Sequence, residues 1–251
     1  MRTLIDIPKG KLSGMFIHPV PKSVSDVRHF RHQFASTQVQ KDLIVALTSK
    51  DQFDIAAFVS ATQTIPSLRS FAGTYLESNF HNVVRKGGEF RIRRLSKTTN
   101  GNFTYVFIPV LKVVFFKETD FSDVKHLPDN FFYMQPHSKT FPTLDSFAIL
   151  PLSLFIKNAE GRCLVSFQST VSKTHGMNGT LLNRLRNRMK ELYGKQFDFY
   201  HVFVTGPNGI KTEQTPTQDN GKPFKNYGVP QYAMLLGSSY DDLFDEVYAQ
   251  E

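Results

Sequence analysis

The residues whose types and spacing could do chemistry lie between positions 141 and 170. Asp145 opens the apolar run 147–150. Gln168 and Thr170 stand two apart inside a β-like run, 163–171, whose period of two sends both side chains to the same face. A carboxylate on one strand and a polar pair at i, i+2 on its neighbour can converge on one Mg²⁺, an ion that takes oxygen ligands and holds few of them from protein. The same residues also admit a structural reading, with Asp145 capping a strand start and Gln168 satisfying backbone in a hairpin. A second pair, Glu77 and His81, lies four apart and so on one side of a helix, together with Gly73, whose missing side chain allows close backbone approach.

Composition narrows the classes. At 251 residues, of which 40% are hydrophobic, the chain can bury a substantial core and reads as globular. Lys and Arg outnumber Asp and Glu by 30 to 22, a formal charge of +8, which suits a polyanionic partner such as nucleic acid or an anionic membrane surface. The lone Cys163 excludes an intrachain disulfide and a Cys-based zinc cluster, and so favours a reducing, intracellular compartment. No secretory h-region opens the sequence and no apolar run approaches a membrane span, so neither a signal peptide nor a membrane partner is expected. His18, His29 and His32 cluster in sequence, but no neighbouring Cys or Glu completes a tetrahedral set.

The elements that must position these residues follow from periodicity. Positions 1–21 read as irregular, and two short helices are expected over 24–34 and 37–47, the second behind the candidate caps Ser36 and Thr37; another is expected over 51–61. The strongest helix starts at Pro66, buries a face through Leu68, Phe71, Ala72, Tyr75, Leu76, Phe80, Val83 and Val84, and stops at Gly87-Gly88. A strand over 89–95 sets Arg91 and Arg93 on one face against Phe90 and Ile92 on the other. The apolar run 105–116 is broken by Pro109. A helix over 178–193 buries Leu181, Leu182, Leu185, Met189 and Leu192 and exposes Arg184, Arg186, Arg188 and Lys190. A strand over 199–204 follows, then a long loop over 208–230 and an acidic tail from Tyr240.

This order, helix, strands, strand with Asp, strand with Gln-x-Thr, basic helix, strand, is that of the restriction-endonuclease-like core. Phe71-Ala-Gly-Thr-Tyr-Leu-Glu-Ser-Asn-Phe-His81 with Gly87-Gly-Glu-Phe-Arg-Ile-Arg-Arg-Leu95, then Phe141-Pro-Thr-Leu-Asp-Ser-Phe147, then Phe167-Gln-Ser-Thr-Val-Ser172 with His175, resembles the nuclease-like domain of Crinkler and retrotransposon-hot-spot type proteins over about 67–204. The resemblance implies an α/β fold: a restriction-endonuclease-like core of helix, mixed four- to five-stranded sheet and helix over 67–206, behind an N-terminal helical annex over 1–66, with loop and acidic tail over 207–251. It also implies a metal-dependent DNA nuclease. Glu77, Asp145 and Gln168 would hold Mg²⁺, or Mn²⁺ in its place, and Lys173 or His175 would assist. Active members carry a lysine where this chain has Thr170, and an acid where it has Gln168.

The family's NTPase is missing, since no Gly-x-x-x-x-Gly-Lys-Ser/Thr motif occurs, so the resemblance leaves room for an NTPase partner in trans. It further implies an effector acting in cytoplasm or nucleus, including a host nucleus after delivery. The competing expectation is a basic module that binds DNA, or a protein partner, without cleaving. Its phosphate contacts would come from Arg91, Arg93, Arg184, Arg188 and Lys190.

Overall fold

The computed structural model describes residues 17–23, 26–34, 36, 38–39, 42–43, 66–98, 101–117, 120–126, 131–138, 141, 144–206, 209–224 and 228–236. The chain divides into two compact units, one of Met1–Asn79 with Gly237–Glu251, the other Phe80–Leu236.

In the first unit β1 (Ile17–Ser23) and β2 (Asp26–Phe34) form an antiparallel hairpin. This corrects the helix expected over 24–34. Val27, Phe30 and Phe34 recur at helical spacing, but Pro19 and Pro21 bias the residues before them to extended backbone, and an extended β1 offers β2 a ladder. Residues 38, 39, 42 and 43 are helical, and Ser36 Oγ accepts from Val39 N at 3.1 Å, so the cap read at Ser36 is the one used. The helix expected over 51–61 and the acidic tail lie outside the described residues.

Helix α1 (Pro66–Lys86) crosses the boundary between the units. Its buried apolar positions, Phe71, Ala72, Tyr75, Leu76, Phe80 and Val84, recur at helical spacing and so form one stripe. Gly87 ends it at φ +71°, where a Cβ would also meet Ile108 O at 2.7 Å and Pro109 C at 2.8 Å. Only glycine meets both demands.

The second unit is built on one mixed sheet of eight strands, in the order β4-β3-β12-β10-β8-β7-β6-β5. These are β3 (Gly88–Arg94), β4 (Thr104–Ile108), β5 (Lys112–Phe116), β6 (Phe132–Pro136), β7 (Ser146–Pro151), β8 (Arg162–Thr170), β10 (Asp198–Thr205) and β12 (Gln231–Leu235). The chain is therefore α/β, with a sheet larger than the four to five strands expected. Two features hid the rest. β12 sits between β10 and β3 although it lies inside the region expected to be loop and tail, and 105–116 is two strands on opposite edges of the sheet.

That last placement dictates the shape. Seven gaps of about 4.8 Å would set the edges of a flat sheet about 34 Å apart, whereas the four peptide steps from Ile108 to Lys112 reach at most about 15 Å. The sheet must curl until its edges approach. Leu111 N donates to Arg85 O at 3.1 Å, and the Phe80 ring lies 5.1 Å from that of Phe167 on β8, so the curl closes around the last turns of α1.

The opposite face carries α2 (Gly179–Tyr193), the crossover that lets β8 and β10 run parallel. Asn178 caps it by accepting from Leu181 N at 3.0 Å, and Gly194 closes it at φ +65°. Leu181, Leu182, Leu185 and Met189 pack on Phe147, Ile149, Leu164, Phe199, Phe203 and Ala233. Two-residue strands β9 (Met177–Asn178) and β11 (Pro216–Thr217) pair beside the helix start.

Candidate functional site

Ser146 pairs with Phe167 across β7 and β8, and Asp145 N donates to Phe167 O at 2.9 Å. This register sets Asp145 beside Gln168 on the face that carries α2. The Asp145 carboxylate does not point outward as a free ligand. Its Oδ2 accepts from Ser169 N at 2.5 Å and so closes the ladder at the strand start. Gln168, two residues before Thr170, is only 4% exposed, and its Oε1 finds no hydrogen-bond partner among the described residues.

Thr170 is equally enclosed, at 4% exposure. Its hydroxyl accepts from Ser172 N at 3.1 Å and bonds His175 Nδ1 at 3.1 Å. From His175 the network runs on: His175 N donates to Gln214 Oε1 at 3.1 Å, Gln214 N to Gln231 Oε1 at 2.8 Å, and Gln231 Nε2 back to Gln214 O at 2.8 Å. The end of β8 is thus tied through the 210–216 segment to β12. Burial lowers the His175 pKa, so its ring is biased to the neutral form. Lys173 is exposed in the bend between Thr170 and His175.

A fully buried histidine, His201, escaped the sequence reading because it stands inside the apolar run of β10. It pairs in register with Ser166, and its Nδ1 lies 2.8 Å from Ser166 Oγ. His201 Nε2 is fully buried without a partner among the described residues. Burial, with a smaller contribution from nearby His175, pushes its pKa down to about 3. The signal available in sequence was a histidine in the middle of a strand that is otherwise mostly apolar and aromatic. Cys163 is equally inert, since burial pushes its thiol up to about 12.

The arginines expected on phosphate divide. Arg188 is committed to the fold: Nε donates to Phe121 O and Nη2 to Ser122 O, both at 3.2 Å, Nη2 also donates to Val124 O at 2.9 Å, and Nη1 pairs with Glu191 at 3.4 Å. Phe121 has φ +63°, an uncommon backbone state for a residue with a side chain. The fork of Arg188 holds its carbonyl while its ring packs on Phe116 and Phe147. Arg188 thus commits four of its five N–H donors to the fold. Arg93 is half-buried, donates to Ile210 O at 3.0 Å and shares with Arg91 the ring of Phe103. Arg184 forms an exposed ion pair with Asp219 at 3.2 Å, and Lys190 is exposed.

An open cleft of about 600 Å³ lies over the Gln214–Gln231 link, lined also by Lys97, Glu213, Thr215, Pro216, Phe224 and Gly228. One cation and one anion leave it without net charge, so it does not select a polyanion.

Of the residues singled out from sequence, Asp145, Gln168, Thr170 and His175 meet at one end of β7 and β8. Glu77 is half-buried on α1 and belongs to the other compact unit. Its i+4 companion His81 is buried, with Nδ1 2.5 Å from the Tyr133 hydroxyl. Among the described residues no three His, Cys, Asp or Glu side chains stand close enough to share a metal ion, and no helix is long and apolar enough to cross a membrane. Comparison with family models, with curated proteins and with solved structures found no match in any of the three.

Proposed function

We propose that the chain is a nucleic-acid-binding module, with DNA as its first ligand, built on a restriction-endonuclease-like core of the Crinkler and retrotransposon-hot-spot kind and no longer equipped to cleave. The observation that carries this reading is Thr170. Where an active relative needs a lysine free to reach the scissile phosphate, this chain has a neutral hydroxyl, 4% exposed and bonded to His175 and Ser172 N. Mg²⁺ also fits the donor set of β7 and β8 poorly. One carboxylate, Asp145, is partly spent on Ser169 N, and Gln168 adds an amide oxygen without charge.

Binding itself needs none of this machinery. An excess of eight positive charges supplies sequence-independent attraction to phosphates. Arg184 and Lys190 on the solvent side of α2 are among its exposed members, and an exposed pair such as Arg184–Asp219 is worth little and exchanges readily for phosphate.

Two measurements test the reading together. Fluorescence anisotropy with labelled duplex DNA should show affinity that falls with salt, and neutralising Arg184 and Lys190 together should flatten the slope of log affinity against log salt by about two units. Plasmid incubated with Mg²⁺ or Mn²⁺ should stay supercoiled with wild type and with Asp145→Ala alike. Nicking by wild type that disappears in Asp145→Ala would reinstate the endonuclease, and salt-independent or absent binding would remove nucleic acid from the account.

A further inference from the structure

Helix α2 covers only part of its face of the sheet. Past β12 the same face continues onto β3 and β4, where the register sets Tyr105 beside Arg91 and Phe107 beside Glu89. Phe103 stands one step further along the same side, with the guanidinium carbons of Arg91 and Arg93 each 5.1 Å from its ring centre. The reverse side of these two strands holds Phe90, Ile92 and Ile108, all buried. The side with the aromatics is the open one: Tyr105 is 43% exposed and Phe107 68%.

This is an odd arrangement for the edge of a sheet. Edge strands are ordinarily protected by charge, and a row of aromatic residues at alternate positions is what such protection avoids. The row has a use if something flat and negatively charged lies on it. Alternate residues along a strand are about 6.8 Å apart, which leaves each ring room to receive a separate planar group, and the two arginines beside the row supply positive charge where a phosphate backbone would run.

We propose that the β3–β4 shelf binds single-stranded nucleic acid, with bases stacked on Tyr105 and Phe107 and the backbone drawn toward Arg91 and Arg93. The inference rests on the reading that the partner is nucleic acid, and narrows it to unpaired strands held by stacking, which tolerates any sequence because every base offers a π-face. Glu89, the one acid on the shelf, stands beside Phe107 and sets the end at which a backbone is least welcome. A peptide strand or a second copy would instead need the hydrogen-bonding edge of β4, and neither would require alternate rings flanked by arginine.

The chain contains no tryptophan, so Phe107→Trp installs a single indole on the shelf. Titration with an oligo-dT should quench that fluorescence to saturation, in step with the anisotropy of the labelled oligonucleotide. Tyr105→Ala with Phe107→Ala should weaken oligo-dT binding by about 25-fold or more, taking about fivefold per lost stacking contact, while Tyr105→Phe keeps the affinity and duplex binding changes less than twofold. Both side chains are substantially exposed, so thermal melts of the variants should match wild type. Anisotropy that reports binding without quenching, or an unchanged affinity in the double variant, would overturn the shelf while leaving a nucleic-acid module elsewhere on the surface. Failure to bind either single strands or duplex would overturn both. Concentration-dependent association in sedimentation, abolished by Phe107→Ala, would give the shelf to a second copy and overturn the proposal as well.

Discussion

The carboxylate of Asp145 accepts the backbone N–H of Ser169 at 2.5 Å, across the start of the β7–β8 ladder. An acid read from sequence as a metal ligand is thus engaged in holding the register of two central strands. Removing it leaves a partly buried N–H without its acceptor, a loss of about 1–3 kcal/mol. Asp145→Ala should accordingly lower the urea midpoint of unfolding, and Asp145→Asn, which keeps an acceptor oxygen, should recover part of it. Millimolar Mg²⁺ should leave the melting temperature of wild type where it was. A rise on adding Mg²⁺ that vanishes in Asp145→Ala would return the residue to the metal.

His201 makes stability depend on pH in a fixed direction. Its folded pKa is pushed down to about 3 by burial, below the ordinary value of 6.5, so the unfolded chain takes up a proton that the folded chain refuses. Stability from this residue is complete above pH 6.5 and is lost as pH falls from there toward 3, by up to about 1.4 kcal/mol per pH unit. His175, also lowered by burial, acts with the same sign. Denaturation measured from pH 7.5 to 4.5 should show His201→Gln losing stability less steeply than wild type, by about one proton. Parallel curves would mean that the ring reaches water in solution.

Arg188 should behave as a staple and Arg184 as a surface charge. Arg188→Ala frees the carbonyls of Phe121, Ser122 and Val124 and should cost about 2–3 kcal/mol. Arg188→Lys should rescue little, because one ammonium cannot reproduce a planar fork. Arg184→Ala, losing only an exposed pair with Asp219, should stay within about 0.5 kcal/mol. Equal losses in the two alanine variants, read by chemical denaturation, would contradict this division.

The parts legible in sequence were those with local signals. The apolar stripe over 178–193 marks α2, and Gly87 stops α1, because helical periodicity and left-handed glycines act within a turn or two. The face shared by Gln168 and Thr170 also followed from period two alone. What escaped depends on distant partners. β12 is five residues long and becomes a strand because β10 and β3 flank it, the hairpin of β1 and β2 has helix-like spacing, and β4 and β5 share one apolar run yet belong to opposite edges. Whether an arginine meets solvent or three carbonyls is likewise set by a loop 64–67 residues away in sequence.

Thr170 offers the sharpest separation between a site one residue short of catalysis and a site closed to it. A lysine there would stand on the strand face of Gln168 and next to His175, in a position 4% exposed and already filled by hydrogen bonds from two sides. Burying an ammonium without a partner costs several kcal/mol, and either the charge is lost or the segment opens. Pairing it with Gln168→Glu supplies an anion two residues away on the same face, so the double variant should unfold at higher urea than Thr170→Lys alone while remaining below wild type. Neither should nick plasmid with Mg²⁺ or Mn²⁺, because the neighbouring Asp145 is still held by Ser169 N. If the double variant matches wild type in stability and cleaves DNA, the end of β8 is open to substrate in solution, and Gln168 and Thr170 together stand between this fold and a nuclease.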